Sequence, residues 1–149
     1  MKKKDLISIS EEFGNPIYIY DANKIESQYN RLLNAFSNVS GLRIHYAVKA
    51  LSNISILKLM KFLGSGLDTV SIEEVKIGLI AGFDPSKIIF TPNGVSIDEI
   101  ESVSKLGVQI NIDNLSILEQ FGRKNPDTPV CIRINPHINA GGNSNISVG

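Results

Sequence analysis

The sequence has 149 residues, 42% hydrophobic and 20% charged, which is enough for one domain with a real core. Its 15 basic side chains balance 15 acidic ones, so bulk electrostatics does not recruit nucleic acid or a membrane surface. A single cysteine, Cys131, excludes an intrachain disulfide and a cysteine-built metal site; no stretch has the apolar length of a bilayer span or a secretory core, so a cytoplasmic protein is the expectation.

In chain order, "PIYIY" (residues 16–20) comes first, its tyrosines and isoleucines alternating as on an opening strand. Asp21 then caps a long helix, in which Ile25, Tyr29, Leu32, Leu33 and Phe36 recur at helical spacing. Five short apolar runs follow: "LRIHYAV", "GLDTV", "KIIF", "GVQINI" and "PVCIRI". Their starts lie roughly twenty residues apart, the spacing of short strands alternating with helices in a parallel sheet. Helix starts recur between them. Ser71 and Glu74 form a capping box stapled by Val70 and Val75; Ser96 and Glu99 form another, stapled by Val95 and Ile100. Asp113 is expected to cap the next helix, with Ile112 and Ile117 as its staple. Gly64 and Gly82 stand where helices end on a left-handed residue.

Five parallel βα units suit either an open doubly wound sheet or part of an eight-stranded barrel. The open sheet usually carries a glycine-rich phosphate loop after its first strand, and here that strand runs into "KALSNIS" with no glycine. The expectation is therefore an α/β fold, an incomplete (β/α)8 TIM-type barrel with about five βα units after an opening strand. Residues 1–149 would be its amino-terminal part, with roughly three further units missing.

Barrel chemistry sits at the carboxyl ends of the strands. There the sequence offers Lys49, Asp68, Thr91 and Asn93, Asn111 and Asp113, then Arg133 and Asn135. Helix capping explains Asp113 and Asn93 better than a direct role does. If the first strand alternates regularly, Arg43, His45, Ala47 and Lys49 share its inner face, so Lys49 points into the mouth with room above Ala47 for a flat ligand. A desolvated lysine there is a nucleophile for a carbonyl, and Asp68 on the next strand is placed to hold it. The competing explanation is a lysine whose stem lies on apolar surface while its head reaches solvent. Arg133, in "CIRIN", needs an anion nearby, either Asp68 or a ligand. His45 reads as an interior residue and Cys131 as small core filler. His137 lies in a loop, and two isolated histidines make no metal site.

"YAVKA" at Tyr46–Ala50 resembles the cofactor-lysine motif of the fold-type III, alanine racemase-like pyridoxal-phosphate decarboxylases. "FGNPIYIYD", "GSGLDTVSIEEVKIGLIAGF", "KIIFTPNGVSIDEI", "GVQINIDN" and "CIRINPH" resemble the family's successive segments in order, over nearly the whole chain. "RINPHINAGGNSNISVG" looks most like the diaminopimelate decarboxylases. The resemblance implies a pyridoxal 5'-phosphate cofactor attached through Lys49, with Asp68 and Arg133 close to it. It also implies conversion of meso-2,6-diaminopimelate to L-lysine by a homodimer with a shared active site. The family's ring-stacking histidine, glycine-rich phosphate loop, "EPGR" segment and C-terminal β domain have no counterpart in the sequence, so this stretch alone is expected to be inactive. Decarboxylases of the same fold acting on arginine, ornithine or carboxynorspermidine, and non-catalytic barrels that bind the cofactor, remain the alternatives.

Overall fold

A computed structural model of the protein describes residues 1–135. They fall into two compact units, Met1–Leu42 and a second beginning at Arg43. The first unit is two helices, α1 (Lys3–Phe13) and α2 (Ala22–Ala35). α2 starts as the sequence predicts, with the Asp21 carboxylate accepting the Lys24 N–H at 3.2 Å. The expected opening strand does not form: residues 17–20 belong to no ladder, and Tyr18 is 92% exposed. Alternation is only half of what makes a strand; the other half is a paired edge, and none of the described residues pairs with this segment.

The second unit is a five-stranded parallel sheet. Its strands are β1 (His45–Ala47), β2 (Gly66–Thr69), β3 (Ile88–Phe90), β4 (Gln109–Ile112) and β5 (Val130–Ile132), and they pair in that order. Between them run α3 (Ile54–Phe62), α4 (Ile72–Ile80), α5 (Ile97–Ser104) and α6 (Leu115–Lys124). Sequential order with no reversal decides between the two candidate architectures. Parallel crossovers are right-handed, so unreversed winding lays every helix on the same face, as in a barrel, whereas a doubly wound sheet must reverse. The helices accordingly form a row, α3 against α4, α4 against α5, and α5 against α6.

Packing identifies the two faces. A Cβ on Gly78 of α4 would stand 2.6 Å from Leu67 and 3.4 Å from Ile88, so those side chains press directly on the helix backbone. Leu67, Ile88, Phe90, Ile110 and Ile112 alternate onto this helix-covered face and are buried with Leu57, Val75, Val103 and Phe121. Each such side chain removed from water contributes about 1.5–3 kcal/mol before entropy is counted. The opposite face carries His45 and Ala47, Gly66 and Asp68, Ile89, Gln109 and Asn111, then Cys131. Cys131 is thus not core filler. It is exposed on the helix-free face, where the Gln109 amide donates to its Sγ at 3.2 Å.

The caps repeat with small displacements. Ser71 accepts the Glu74 N–H at 3.2 Å, but the Glu74 carboxylate takes the N–H of Val70, one residue before the cap. Ser96 accepts the Glu99 N–H at 3.3 Å, while the Glu99 carboxylate leaves its own helix for the N–H of Ile72. α6 is capped by Asn114 rather than Asp113. The Asn114 amide oxygen reaches the N–H groups of Ser116 and Ile117 at 2.9 and 3.2 Å. Gly64 and Gly82, at φ 90° and 89°, end α3 and α4 as expected.

Candidate active site

The carboxyl ends of the five strands form one mouth, and β1 reaches it differently from the sequence expectation. Regular alternation stops at Ala47; Val48–Ala50 is a single 3₁₀ turn. Val48 is fully buried and Lys49 is exposed on the turn. Two hydrogen bonds close the turn. The Leu51 N–H donates to the Val48 carbonyl at 3.0 Å, and the Tyr46 hydroxyl donates to the Leu51 carbonyl at 3.2 Å. The tyrosine of "YAVKAL" therefore ties down the segment that presents the lysine, a role that alternation alone gave no means of seeing.

Asp68 lies on the helix-free face of β2, level with Ala47 in the register. It is half-buried and makes no hydrogen bond or ion pair among the described residues. In particular no ion pair joins it to Lys49. Arg133 follows β5, its N–H continuing the ladder to the Ile112 carbonyl at 2.8 Å. Its side chain is exposed, and Asp68 is not its partner: three strand spacings, about 14 Å along the sheet, separate them. Between them, Asn111 Nδ2 donates to Thr91 Oγ1 at 3.0 Å, a cross-strand pair that the strand-end reading did not connect. Asn93 and Asp113 are exposed on loops beyond β3 and β4. His137 lies outside the described residues.

His45 stands one layer below Asp68 on the same face. Burial is the main influence on its imidazole and pulls its pKa below the ordinary value; the Asp68 carboxylate pushes the other way, and the Arg43 guanidinium adds to the lowering.

The helix N-termini around the mouth are closed by this chain's own side chains. Asn53 caps α3; Ser71, Glu74 and Glu99 take the N–H groups at the start of α4; Ser96 and Asn114 cap α5 and α6. A phosphate that would use a helix dipole finds none of these four open. A cavity of about 380 Å³ lies between the loops after β3 and β4, floored by Ile100, Ile112 and Ile117. Those are helix-side residues, so the cavity is separate from the face that carries Asp68. Among the described residues no cluster of three or more His, Cys, Asp or Glu side chains suits a metal ion, and no helix is long and apolar enough to cross a membrane.

The mouth thus presents an exposed primary amine, a small alanine below it, a carboxylate on the next strand with no ion pair among the described residues and, after β5 at the far edge of the sheet, an exposed guanidinium. An amine can take a carbonyl, a carboxylate a cation, and a guanidinium an anion.

Comparison with known proteins gives this donor set a context. Residues 22–149 match the family model described as pyridoxal-dependent decarboxylase, pyridoxal binding domain. The chain is 37% identical over 139 residues to a diaminopimelate decarboxylase of Methanothermobacter thermautotrophicus, covering 92% of this chain and 32% of that protein. It superposes on the crystal structure of a diaminopimelate decarboxylase from M. jannaschi with a TM-score of 0.79 and 30% identity, over 89% of this chain and 33% of that one. A Helicobacter pylori diaminopimelate decarboxylase complexed with L-lysine matches with a TM-score of 0.75 and 36% identity, over 89% of this chain and 35% of its own. The chain spans about a third of the length of the curated relatives it matches.

Proposed function

The chain belongs to the pyridoxal-dependent decarboxylase family, in its pyridoxal-binding domain, and from that premise we propose that the protein decarboxylates meso-2,6-diaminopimelate to L-lysine with pyridoxal 5'-phosphate held on Lys49. One observation carries the reading: Lys49 stands on a pinned turn at the mouth, with Ala47 and Asp68 level on adjacent strands just below it. When bound, the cofactor supplies an electron sink for the pair left behind by the departing carboxyl group.

The chain's own residues bind and orient. The Lys49 amine would hold the cofactor through its aldehyde, and the Tyr46–Leu51 hydrogen bond keeps its turn from opening. Ala47 leaves a flat ring space to lie against the sheet. Asp68, without another partner among the described residues, offers its carboxylate to a cationic group at the ring or the substrate amine. Arg133 offers a planar, permanently charged fork to a carboxylate or phosphate. The choice of substrate rests on the relatives named above and on the L-lysine bound to one of them, the expected product. In this reading the protein acts in the cytoplasm as a homodimer whose second subunit completes the site.

The test is borohydride reduction of the cofactor-loaded protein followed by peptide mapping, with Lys49→Ala alongside. A pyridoxyl group on the Lys49 peptide, lost in the variant, is expected. A stable adduct on another lysine, with decarboxylation intact in Lys49→Ala, would overturn the assignment.

A further inference from the structure

We infer that His45 is a positioning residue for Asp68: seated over Gly66 on the helix-free face, its imidazole backs the carboxylate from below and governs whether that carboxylate faces the mouth. The inference rests on the reading of the mouth as the cofactor site. It begins with the register. His45 pairs with Gly66 and Ala47 with Asp68, so His45 and Asp68 are diagonal neighbours on one face, within reach of long side chains.

Gly66 then fixes where the ring goes. A Cβ there would fall 2.4 Å from His45 Cδ2 and 2.6 Å from Nε2, so the imidazole lies across β2 in the space a side chain would fill. It is therefore laid over the strand that carries Asp68. The same Cβ would meet the Lys87 carbonyl at 2.6 Å, so β3 closes the far side of the seat. Few groups share this layer. Arg43 precedes His45 by two residues on β1, Asp68 lies on β2, and β3 contributes Ile89 and the Lys87 carbonyl. Because Asp68 has no other partner among the described residues, nothing else there competes for it.

Two states follow. With His45 neutral, Asp68 keeps its charge for the mouth. With His45 protonated, an imidazolium beneath the carboxylate draws it inward as a counter-ion, and a ligand at the mouth loses its anionic partner. Burial works against the protonated state and Asp68 works for it, so the switch falls on the acid side of neutrality.

Two measurements on the full protein test this. Pyridoxal-phosphate affinity is titrated against pH by cofactor fluorescence in the parent, His45→Asn and His45→Phe. Below neutrality the parent should lose more affinity than either variant, by the part that His45 protonation supplies, and all three should agree within about threefold at neutral pH. Without cofactor, the His45 ring is titrated by NMR in the parent and in Asp68→Asn, where its midpoint should fall because the favourable charge is gone. An acid limb unchanged in both variants, or a His45 midpoint unmoved by Asp68→Asn, overturns the inference. A parent that binds no pyridoxal phosphate at any pH overturns the reading of the mouth instead, and the cofactor-free titration still decides the coupling.

Discussion

The Glu99 carboxylate, three residues into α5, accepts the N–H of Ile72 at the start of α4 at 3.0 Å, so one helix supplies the cap of its neighbour. The bond is part-buried and charge-assisted, and it adds to the Ser71 and Glu74 contacts at the same helix end. Glu99→Ala should cost about 1–2 kcal/mol and Glu99→Gln less than half of that, measured by urea unfolding. Equal losses in the two variants would show that the charge contributes nothing at this position.

The cap of α6 separates two adjacent residues. Asn114→Ala should destabilise by about 1 kcal/mol, and Asp113→Ala should stay within roughly 0.5 kcal/mol of the parent. The reverse order in a thermal or urea series would return the cap to Asp113.

Tyr46→Phe removes only the hydroxyl that reaches the Leu51 carbonyl. The circular dichroism spectrum should be unchanged, with a roughly three- to tenfold loss of pyridoxal-phosphate affinity as the lysine-bearing turn loosens. Unaltered affinity would mean that the Leu51 N–H to Val48 bond holds the turn by itself.

Stability should also respond to pH through His45. Burial holds its folded-state pKa below the ordinary value of about 6.5, so the unfolded chain takes up the proton first. The contribution is fully present above that ordinary value, declines as pH falls from there toward the lowered folded value, and is constant below it. Unfolding midpoints compared across this window should show His45→Asn less sensitive to acid than the parent. A variant at least as acid-sensitive as the parent would contradict the sign.

Much of the second unit was legible because its signals are local. Ser71, Ser96, Gly64 and Gly82 act on backbone groups within a turn of themselves, and the strand runs lie against helices supplied by the same repeat. The failures each have a non-local or competing cause. "PIYIY" alternates, but a strand also needs an edge from elsewhere. Asp113 and Asn114 both suit a helix start, and only the backbone path chooses between them. Glu99 carries the sequence signature of a box, yet a neighbouring helix offers its carboxylate another N–H. Lys49 is legible from its position at a strand end, while the 3₁₀ turn that presents it draws on a hydroxyl three residues back.

The unreversed strand order has a further consequence, for how the chain acquires its shape. Each strand lies beside one whose paired residues are only 20 or 21 positions away, as in His45 with Gly66, Leu67 with Ile88, Ile89 with Gln109 and Ile110 with Val130. No pairing in this sheet waits for a distant segment, so its relative contact order is low for a parallel sheet. On a ribosome, each newly exposed strand meets a partner that has already emerged, and the sheet grows in the direction of synthesis. A pause after any βα unit from the second onward leaves behind it strands that each already have a neighbour, with the newest edge ready to receive the next.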